Sequence, residues 1–329
     1  EQSRAELDRA FSTLEMEWRW QPVTLGDFRD VIDGLVQECA GRELVVLNLC
    51  DGDEINGVPG VSVIRHLDAR GVRYTGADEA FYRATTSKIS MKQDFDRAGV
   101  PTPGWAVVER GADAVGDLFA RLGTPLIVKP AVSAGSMGIT TRSVVSTESE
   151  LLEQLRLLEL GYQGWDLAGG GVLVEQFISG TEFTVLITGS ARRPETVVVH
   201  APVERVFHHS LPPTERFLSF DRLWEVYERE TPVGVDEYLW EYGPVDAAMT
   251  ARLSEVSVAA YRAVGGTGYG RVDLRVDAAT DSIAVLEVNA QCGLSEDENY
   301  TSIGAILRLG GRTFQGLISE IIEDARMRT

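Results

Sequence analysis

Residues 270–293 read GRVDLRVDAATDSIAVLEVNAQCG, two alternating polar and apolar runs around a short polar loop. That pattern is a β-hairpin. Arg271, Asp273, Arg275 and Asp277 share one face of the first run, with Val272, Leu274 and Val276 on the other. In the second run Ala284, Leu286 and Val288 point one way and Ile283, Val285, Glu287 and Asn289 the opposite way. Pairing Asp277 with Ile283 across the loop sets Asp273 opposite Glu287 and Arg271 opposite Asn289. Two opposed carboxylates on one sheet face repel each other, so something cationic belongs between them. Two carboxylates and an amide carbonyl are hard oxygen ligands of the kind Mg²⁺ takes when phosphates and water complete its shell. On this stretch alone a simply hydrated polar face stays open beside the metal reading.

The 329 residues are 44% hydrophobic and 25% charged, an ordinary globular mix with room for two or three domains. Asp and Glu outnumber Lys and Arg by 50 to 31, a formal charge of −19. A nucleic-acid or anionic-membrane surface needs clustered positive charge, so neither partner is expected. The three scattered cysteines, Cys39, Cys50 and Cys292, suit neither a disulfide framework nor a zinc site and fit a reducing cytoplasm, the expected location. No run of apolar residues is long enough to span a membrane.

In chain order, residues 1–13 read as a helix, Glu17–Val23 as a short strand with alternating aromatics, and Leu25–Cys39 as a helix. Leu44–Leu49 is a continuous apolar run typical of a buried strand. The polar loop 51–60 and a helix Val61–Arg70 follow it. Strand, loop and helix in that order put a ligand edge at the strand's C-terminal end, so the loop, with Asp51, Asp53 and Glu54 as its charged members, reads as a binding candidate or as a hydrated turn. Gly71–Gly76 reads as strand and turn, and Ser87–Ala98 as a helix stopped by Gly99 and the prolines beyond. Strand Gly104–Val108, helix Ala112–Leu122, strand Leu126–Val128, strand Ile139–Val145 and helix Glu148–Leu160 come next. Val172–Ile178 and Glu182–Thr188 read as a second hairpin. Residues 200–246 form a long irregular excursion, the kind usually used as a lid or substrate loop. Its histidines lack metal-ligand spacing apart from the adjacent pair His208 and His209, where a metal role is the lesser reading. Helices Val245–Val264 and Phe314–Met327 complete the reading.

Three features converge on a nucleotide. Lys129 ends a strand just before the small, flexible segment 131–138, where a point cation and the backbone N–H groups of Gly135, Ser136 and Gly138 suit polyphosphate oxygens. Glu175 and Glu182 flank the second hairpin as acceptors for an adenine amino group and ribose hydroxyls. The pair Asp273 and Glu287 comes last. The order lysine, glycine-rich loop, glutamate hinge, aspartate, then Glu-x-Asn is far more specific than any one member.

That order resembles the ATP-grasp superfamily and, within it, the D-alanine–D-alanine ligase-like enzymes, from about Leu44 to the C-terminus. The matching segments are 74–103, PLIVKPAVSAGSMG (125–138), VLVEQFISGTEFTV (172–185), GYGRVDLRV (268–276) and LEVNAQCGL (286–294). The resemblance implies an α/β fold, α+β in parts. It has an N-terminal parallel-sheet domain (1–83), a central domain with the phosphate loop (84–174) and a C-terminal domain with the metal site (175–329), the last two sandwiching ATP. Carried over by position, Lys88 and Lys129 contact ATP phosphates, and Ser136 lies in the mobile loop over them. Glu175 and the backbone of Gln176 and Ile178 hold adenine, and Glu182 holds the ribose. Asp273, Glu287 and Asn289 bind two Mg²⁺ ions, for which Mn²⁺ can substitute. Arg271 and the Gly293 amide stabilise the oxyanion. A homodimer comes with the resemblance.

The implied reaction joins a small-molecule carboxylate to an amine through an acyl phosphate, releasing ADP and phosphate. In-line phosphoryl transfer needs charge neutralisation and alignment more than a covalent group on the protein. The departures concern the substrate. The family's first strand and glycine-rich loop, with the glutamate that binds the first D-alanine, have no match. Loop 50–60 lacks the histidine and Glu-Asp-Gly pattern of the housekeeping ligases, and Gly135 stands where they carry the first serine of a pair. LSEDENYTS follows Gly293 in place of Met-Thr-Ser. Its acids at 296–298 read first as a hydrated loop, and otherwise as a site for an ammonium or polyhydroxy group. The leading expectation is therefore a ligase for a non-housekeeping amino-acid-like pair in specialised metabolism. The alternatives are a housekeeping D-alanine–D-alanine ligase, a cyclising amide ligase, or a non-catalytic ATP-binding regulatory protein.

Overall fold

The computed structural model describes residues 2–109, 115–162, 164–224 and 238–328, and its first layer is largely helical. Helices α1 (Gln2–Thr13), α2 (Phe28–Glu38), α3 (Val61–Ala69), α4 (Glu79–Thr86) and α5 (Lys88–Ala98) surround two short strands, β1 (Val45–Val46) and β2 (Arg73–Tyr74). The strands pair in parallel, as the strand–loop–helix order implies, but only Val45-Val46 of the apolar run takes part. Glu17–Val23 is not a strand. Its aromatics cover α1 instead: Trp18 stacks on Phe11 at 5.1 Å and its indole N–H donates to Asp8 at 3.2 Å.

The middle of the chain builds a four-stranded antiparallel sheet from β3 (Trp105–Val108), β4 (Leu126–Pro130), β5 (Val144–Val145) and β6 (Val172–Gln176), in the order β3-β6-β4-β5. Helices α6 (Leu118–Leu122) and α7 (Glu148–Leu160) pack on it. The sequence capped α7 well: Thr147 accepts from the Glu150 amide at 3.3 Å while Glu150 accepts from the Thr147 amide at 3.1 Å, a reciprocal capping box. The expected start of α6 falls partly on 110–114, outside the described residues. The expected strand 139–145 shrinks to its last two residues, because Thr141–Ser143 winds into a 3₁₀ turn.

The second sheet holds β7 (Gly180–Ser190), β8 (Arg193–Val199), β9 (Val203–Phe207), β10 (Trp240–Pro244), β11 (Tyr269–Asp277) and β12 (Ile283–Ala290). Its order is β10-β9-β7-β11-β12, with β8 also paired to β7. The supposed hairpin of 172–178 and 182–188 does not exist. β6 pairs with β3 and β4, whereas β7 pairs with β8, β9 and β11. The chain crosses between sheets at 177–179, and the alternating pattern on both sides cannot reveal that the two runs have different partners.

Among the described residues four more helices follow: α8 (Phe220–Trp224), α9 (Ala247–Ala263), α10 (Ser302–Leu309) and α11 (Phe314–Met327). Val272, Leu274, Val285 and Val288 face a core with Phe81, Phe95 and Tyr261 from α4, α5 and α9. A second core joins Leu7 and Phe11 of α1 to Leu317 and Ile321 of α11. The polar face of the large sheet is thereby left toward the central sheet.

Candidate active site

The β11–β12 hairpin pairs Arg271 with Asn289 and Asp273 with Glu287, the expected register at this end. At the loop end the register differs by one: Val276, not Asp277, faces Ile283. A β-bulge reconciles the two, since Leu274 pairs with Val285 and Asp273 with Glu287, leaving Leu286 as the extra residue. Without it, the loop-end register would turn Glu287 and Asn289 into the core. With it, Leu286, Glu287 and Asn289 all line the cavity, while Val285 and Val288 stay fully buried.

The cavity, about 780 Å³, lies between the two sheets and is large enough for a nucleotide-sized ligand. At its centre Arg271 holds Asp273 through Nε at 3.0 and 3.1 Å and Nη2 at 2.8 Å. Residues two apart on a strand share a face, so this pair is built by alternation alone. Asn289 Nδ2 donates to Asp273 at 2.9 Å and to Glu287 at 3.1 Å, and Lys88 Nζ lies 3.8 Å from Glu287. The cation that repulsion demands is thus supplied in part by the chain. Burial opposes charge on Glu287, yet Lys88, Lys129 and Arg271 together hold its carboxyl below the ordinary range. Burial alone would weaken the Arg271 charge, but Asp273 beside it keeps the guanidinium more firmly protonated than usual.

The donor set fits a hard divalent cation. A half-turn of the Asn289 amide exchanges its N–H₂ for its oxygen, giving two carboxylates and one amide oxygen on one face. Among the described residues no three His, Cys, Asp or Glu side chains converge on one point. Such an ion would therefore draw its other ligands from phosphate and water.

Lys88 opens α5 and donates to Ser133 O at 3.2 Å. Lys129, at the end of β4, is 2.5 Å from Glu175 Oε2, and Lys92 is 2.6 Å from Glu175 Oε1. Each oxygen of the Glu175 carboxylate thus rests on a lysine, so an adenine amino group would meet only its remaining lone pairs. Burial pulls the other way, but Lys129 and Lys92 hold this carboxyl at about 2. Ser136 takes a positive φ of 62° between Gly135 and Gly138, which do the same, and its hydroxyl donates to Leu218 O at 3.0 Å. The 131–138 loop is thereby tied to the 200–246 excursion, whose Phe217, Leu218 and Leu223 reach the cavity. Residues 225–237 of that excursion lie outside the described residues. The rings of His208 and His209 lie 4.4 Å apart, tilted 43° to each other, and neither lines this cavity.

The Gln176 amide donates to Gly104 O at 2.8 Å, and the Ile178 carbonyl accepts from Arg275 at 2.9 Å. Glu182 sits between Arg205 and Arg275, its neighbours across β9 and β11. Arg275 donates to it at 2.8 and 3.3 Å, and Arg205 also ion-pairs with it. Neither arginine stood among the expected residues. Burial, then the like charge of Arg205, push Arg275 down to about 9.

At the opposite end Gln291 takes a positive φ of 54° and turns the chain after β12. Its side chain accepts from the Ala77 amide at 2.8 Å and donates to Asn48 O at 2.7 Å, which fixes Gly293 at the cavity wall. Of the 51–54 acids, Asp51 and Asp53 line the cavity. Protein around Asp51 lifts its carboxyl above the usual range. Glu54 instead accepts from the Gly60 and Ser62 amides at 3.2 and 2.7 Å, at the start of α3. The acids at 296–298 are engaged structurally. Glu296 binds Arg9, Asp297 accepts from Gln2 at 3.2 Å and from the Asn299 and Tyr300 amides, and Glu298 pairs with Arg308 at 3.7 Å. Helix α1 thus docks on the loop after Gly293, and its Gln2 and Ser3 reach the cavity.

Residues 95–323 match the family model described as D-ala D-ala ligase C-terminus. The chain belongs to that family. This ATP-grasp ligase, of a kind that forms C–N bonds, is 28% identical over 280 residues to the D-alanine–D-alanine ligase B of Xanthomonas campestris pv. campestris, covering 84% of this chain and 77% of the relative. The D-alanine–D-alanine ligase of Bacillus anthracis, solved in complex with ATP, superposes with a TM-score of 0.70 at 20% identity, over 99% of this chain and 92% of that one. The VanG D-Ala:D-Ser ligase of Enterococcus faecalis gives 0.64 at 20% identity, over 86% and 73%. At that identity the two structures bear on the fold of the ATP-grasp ligase alone, and they agree with the expected one.

Proposed function

We propose that the chain joins an amino-acid-like carboxylate to an amine through an acyl phosphate, releasing ADP and phosphate, on a pair other than two D-alanines. The observation that carries this is the convergence of Lys88, Lys129, Arg271, Asp273, Glu287 and Asn289 on one cavity. Lys88 and Lys129 neutralise the polyphosphate, and the 131–138 loop closes over it. The Gln176 carbonyl and Ile178 amide are the pair we assign to the base, because their Gln176 amide and Ile178 carbonyl counterparts are engaged elsewhere. Glu182, fixed between its two arginines, keeps lone pairs for the ribose. Asp273, Glu287 and Asn289 hold Mg²⁺, which when bound offsets charge on the transferring phosphoryl group. Arg271 spends Nε and Nη2 on Asp273. We assign its Nη1 edge, with the Gly293 amide, to the oxyanion formed when the amine attacks.

The altered substrate end supports a pair other than D-alanine twice over. Loop 50–60 presents Asp51 and Asp53, and α1 braces the loop after Gly293. A second reading, the housekeeping D-alanine–D-alanine ligase, draws on the names of the curated relatives. We place the reaction in the cytoplasm and carry a homodimer from the resemblance. No helix among the described residues is long and apolar enough to cross a membrane. The test is ADP and phosphate release from Mg·ATP over amino acids offered singly and in pairs, with mass spectrometry of the products. Release only with a pair other than D-alanine alone is expected; efficient D-alanyl-D-alanine synthesis from D-alanine alone favours the second reading.

A further inference from the structure

Lys92 lies one helical turn beyond Lys88 on α5, so the two share a face. Lys88 reaches the cavity, whereas Lys92 is only 1% exposed and does not line it. A lysine is almost never buried this far unless it is paired. Its ammonium, a three-hydrogen donor, has three partners. Glu175 Oε1 is at 2.6 Å, Thr102 Oγ1 at 2.5 Å and Val285 O at 3.4 Å. Thr102 in turn donates to Val285 O at 2.8 Å, and the Val285 amide donates to Pro101 O at 2.8 Å. Val285 is the last residue before the bulge at Leu286 that turns Glu287 to the cavity. Glu175 carries Lys129 on its other oxygen. One buried cation therefore touches both the carboxylate under the phosphate lysine and the strand position that sets the metal carboxylate.

Apolar side chains in place of both members of a buried ion pair often serve stability as well or better. The charge here has a geometric consequence that an apolar side chain would lack. We propose that Lys92 is a positioning residue, acting through Glu175 to hold Lys129 toward the nucleotide phosphates and through Val285 to keep the β12 bulge in register with that lysine. The inference rests on the reading above in which Lys129 meets the polyphosphate.

The test compares Lys92→Met, Glu175→Gln and the double variant Lys92→Met/Glu175→Gln, using affinities for Mg·ATP and for AMP together with thermal unfolding. AMP reports the base and ribose end, whereas Mg·ATP also reports the phosphate lysine. Lys92→Met is expected to weaken Mg·ATP about tenfold with AMP little changed, a loss of the size typical for removing a partner behind a ligand-binding group. The double variant removes the fully buried Lys92–Glu175 ion pair as a unit and leaves the Lys129 charge facing the cavity, so it also covers the case in which Lys92→Met alone fails to fold. It is expected to recover the unfolding temperature without recovering Mg·ATP affinity. Recovery of both together, or equal losses for AMP and Mg·ATP, would overturn the proposal and leave Lys92 a purely structural charge. Wild-type protein that does not prefer Mg·ATP over AMP would instead sink the phosphate assignment of Lys129, and the inference with it.

Discussion

Asp273 and Glu287 face each other across β11 and β12, and the amide of Asn289 spans them, 2.9 Å from one carboxylate and 3.1 Å from the other. Two carboxylates facing each other are tolerated because Arg271 and Lys88 stand beside them and the Asn289 N–H₂ donates to both; with a cation between them, a half-turn of that amide would supply a third oxygen ligand. The relationship depends on Leu286 being one residue too many for the ladder.

Glu287→Gln keeps the shape and removes the charge. Turnover is expected to fall by about 1,000-fold, the several kcal/mol a metal site supplies to a charged transition state. The unfolding temperature should stay near that of the wild type. Steady-state ADP release and a thermal melt check both halves, and near-normal activity would remove Glu287 from the metal set.

Arg271→Lys keeps a cation but loses the flat guanidinium that binds Asp273 with one edge and offers the other to the oxyanion. The expected outcome is a kcat lower by about 100-fold with little change in the KM for Mg·ATP, as for loss of one oxyanion donor. A rise in KM alone would place Arg271 in ground-state binding instead.

Glu175 gives the protein an acid-sensitive limb. Its carboxyl titrates at about 2 in the folded state against an ordinary 4.5, so in that window the unfolded chain binds the proton more readily. The stability it contributes is present above pH 4.5 and is lost as pH falls toward 2. In Glu175→Gln this limb should flatten, which urea unfolding at a series of acidic pH values would reveal.

Arg275→Met leaves Glu182 with Arg205 but deprives the Ile178 carbonyl of its donor. A loss of about 2–3 kcal/mol is expected, because the bonds removed are buried and charge-assisted. Chemical denaturation would measure it.

The site was more legible than the topology around it. Alternation alone put Arg271 beside Asp273, and the residue order pointed to Lys129 and Glu182 as partners in one pocket. Alternation carries phase but not the point where phase changes, so the bulge at Leu286 was invisible even though the register beyond it was read correctly. It also carries no partner identity, which is why β6 and β7 looked like a hairpin. A lysine on a helix looks the same in sequence whether it is hydrated or paired in a core, so only the depth of α5 reveals Lys92 as buried. Gln291 gave no signal because its two bonds reach residues more than 200 positions away. Glu54 looked like a ligand because an acid in a glycine-rich loop has the same appearance whether it meets a substrate or the start of a helix.

The most direct test of the central claim uses the substrate pair found by the product screen, with ¹⁸O in the carboxylate of the acid. An acyl-phosphate ligase must transfer one labelled oxygen to the released phosphate in each turnover, with ADP as the nucleotide product. That label in phosphate, matched to amide formed, is the predicted result. Unlabelled phosphate, or AMP with the label in its phosphate, would contradict the account.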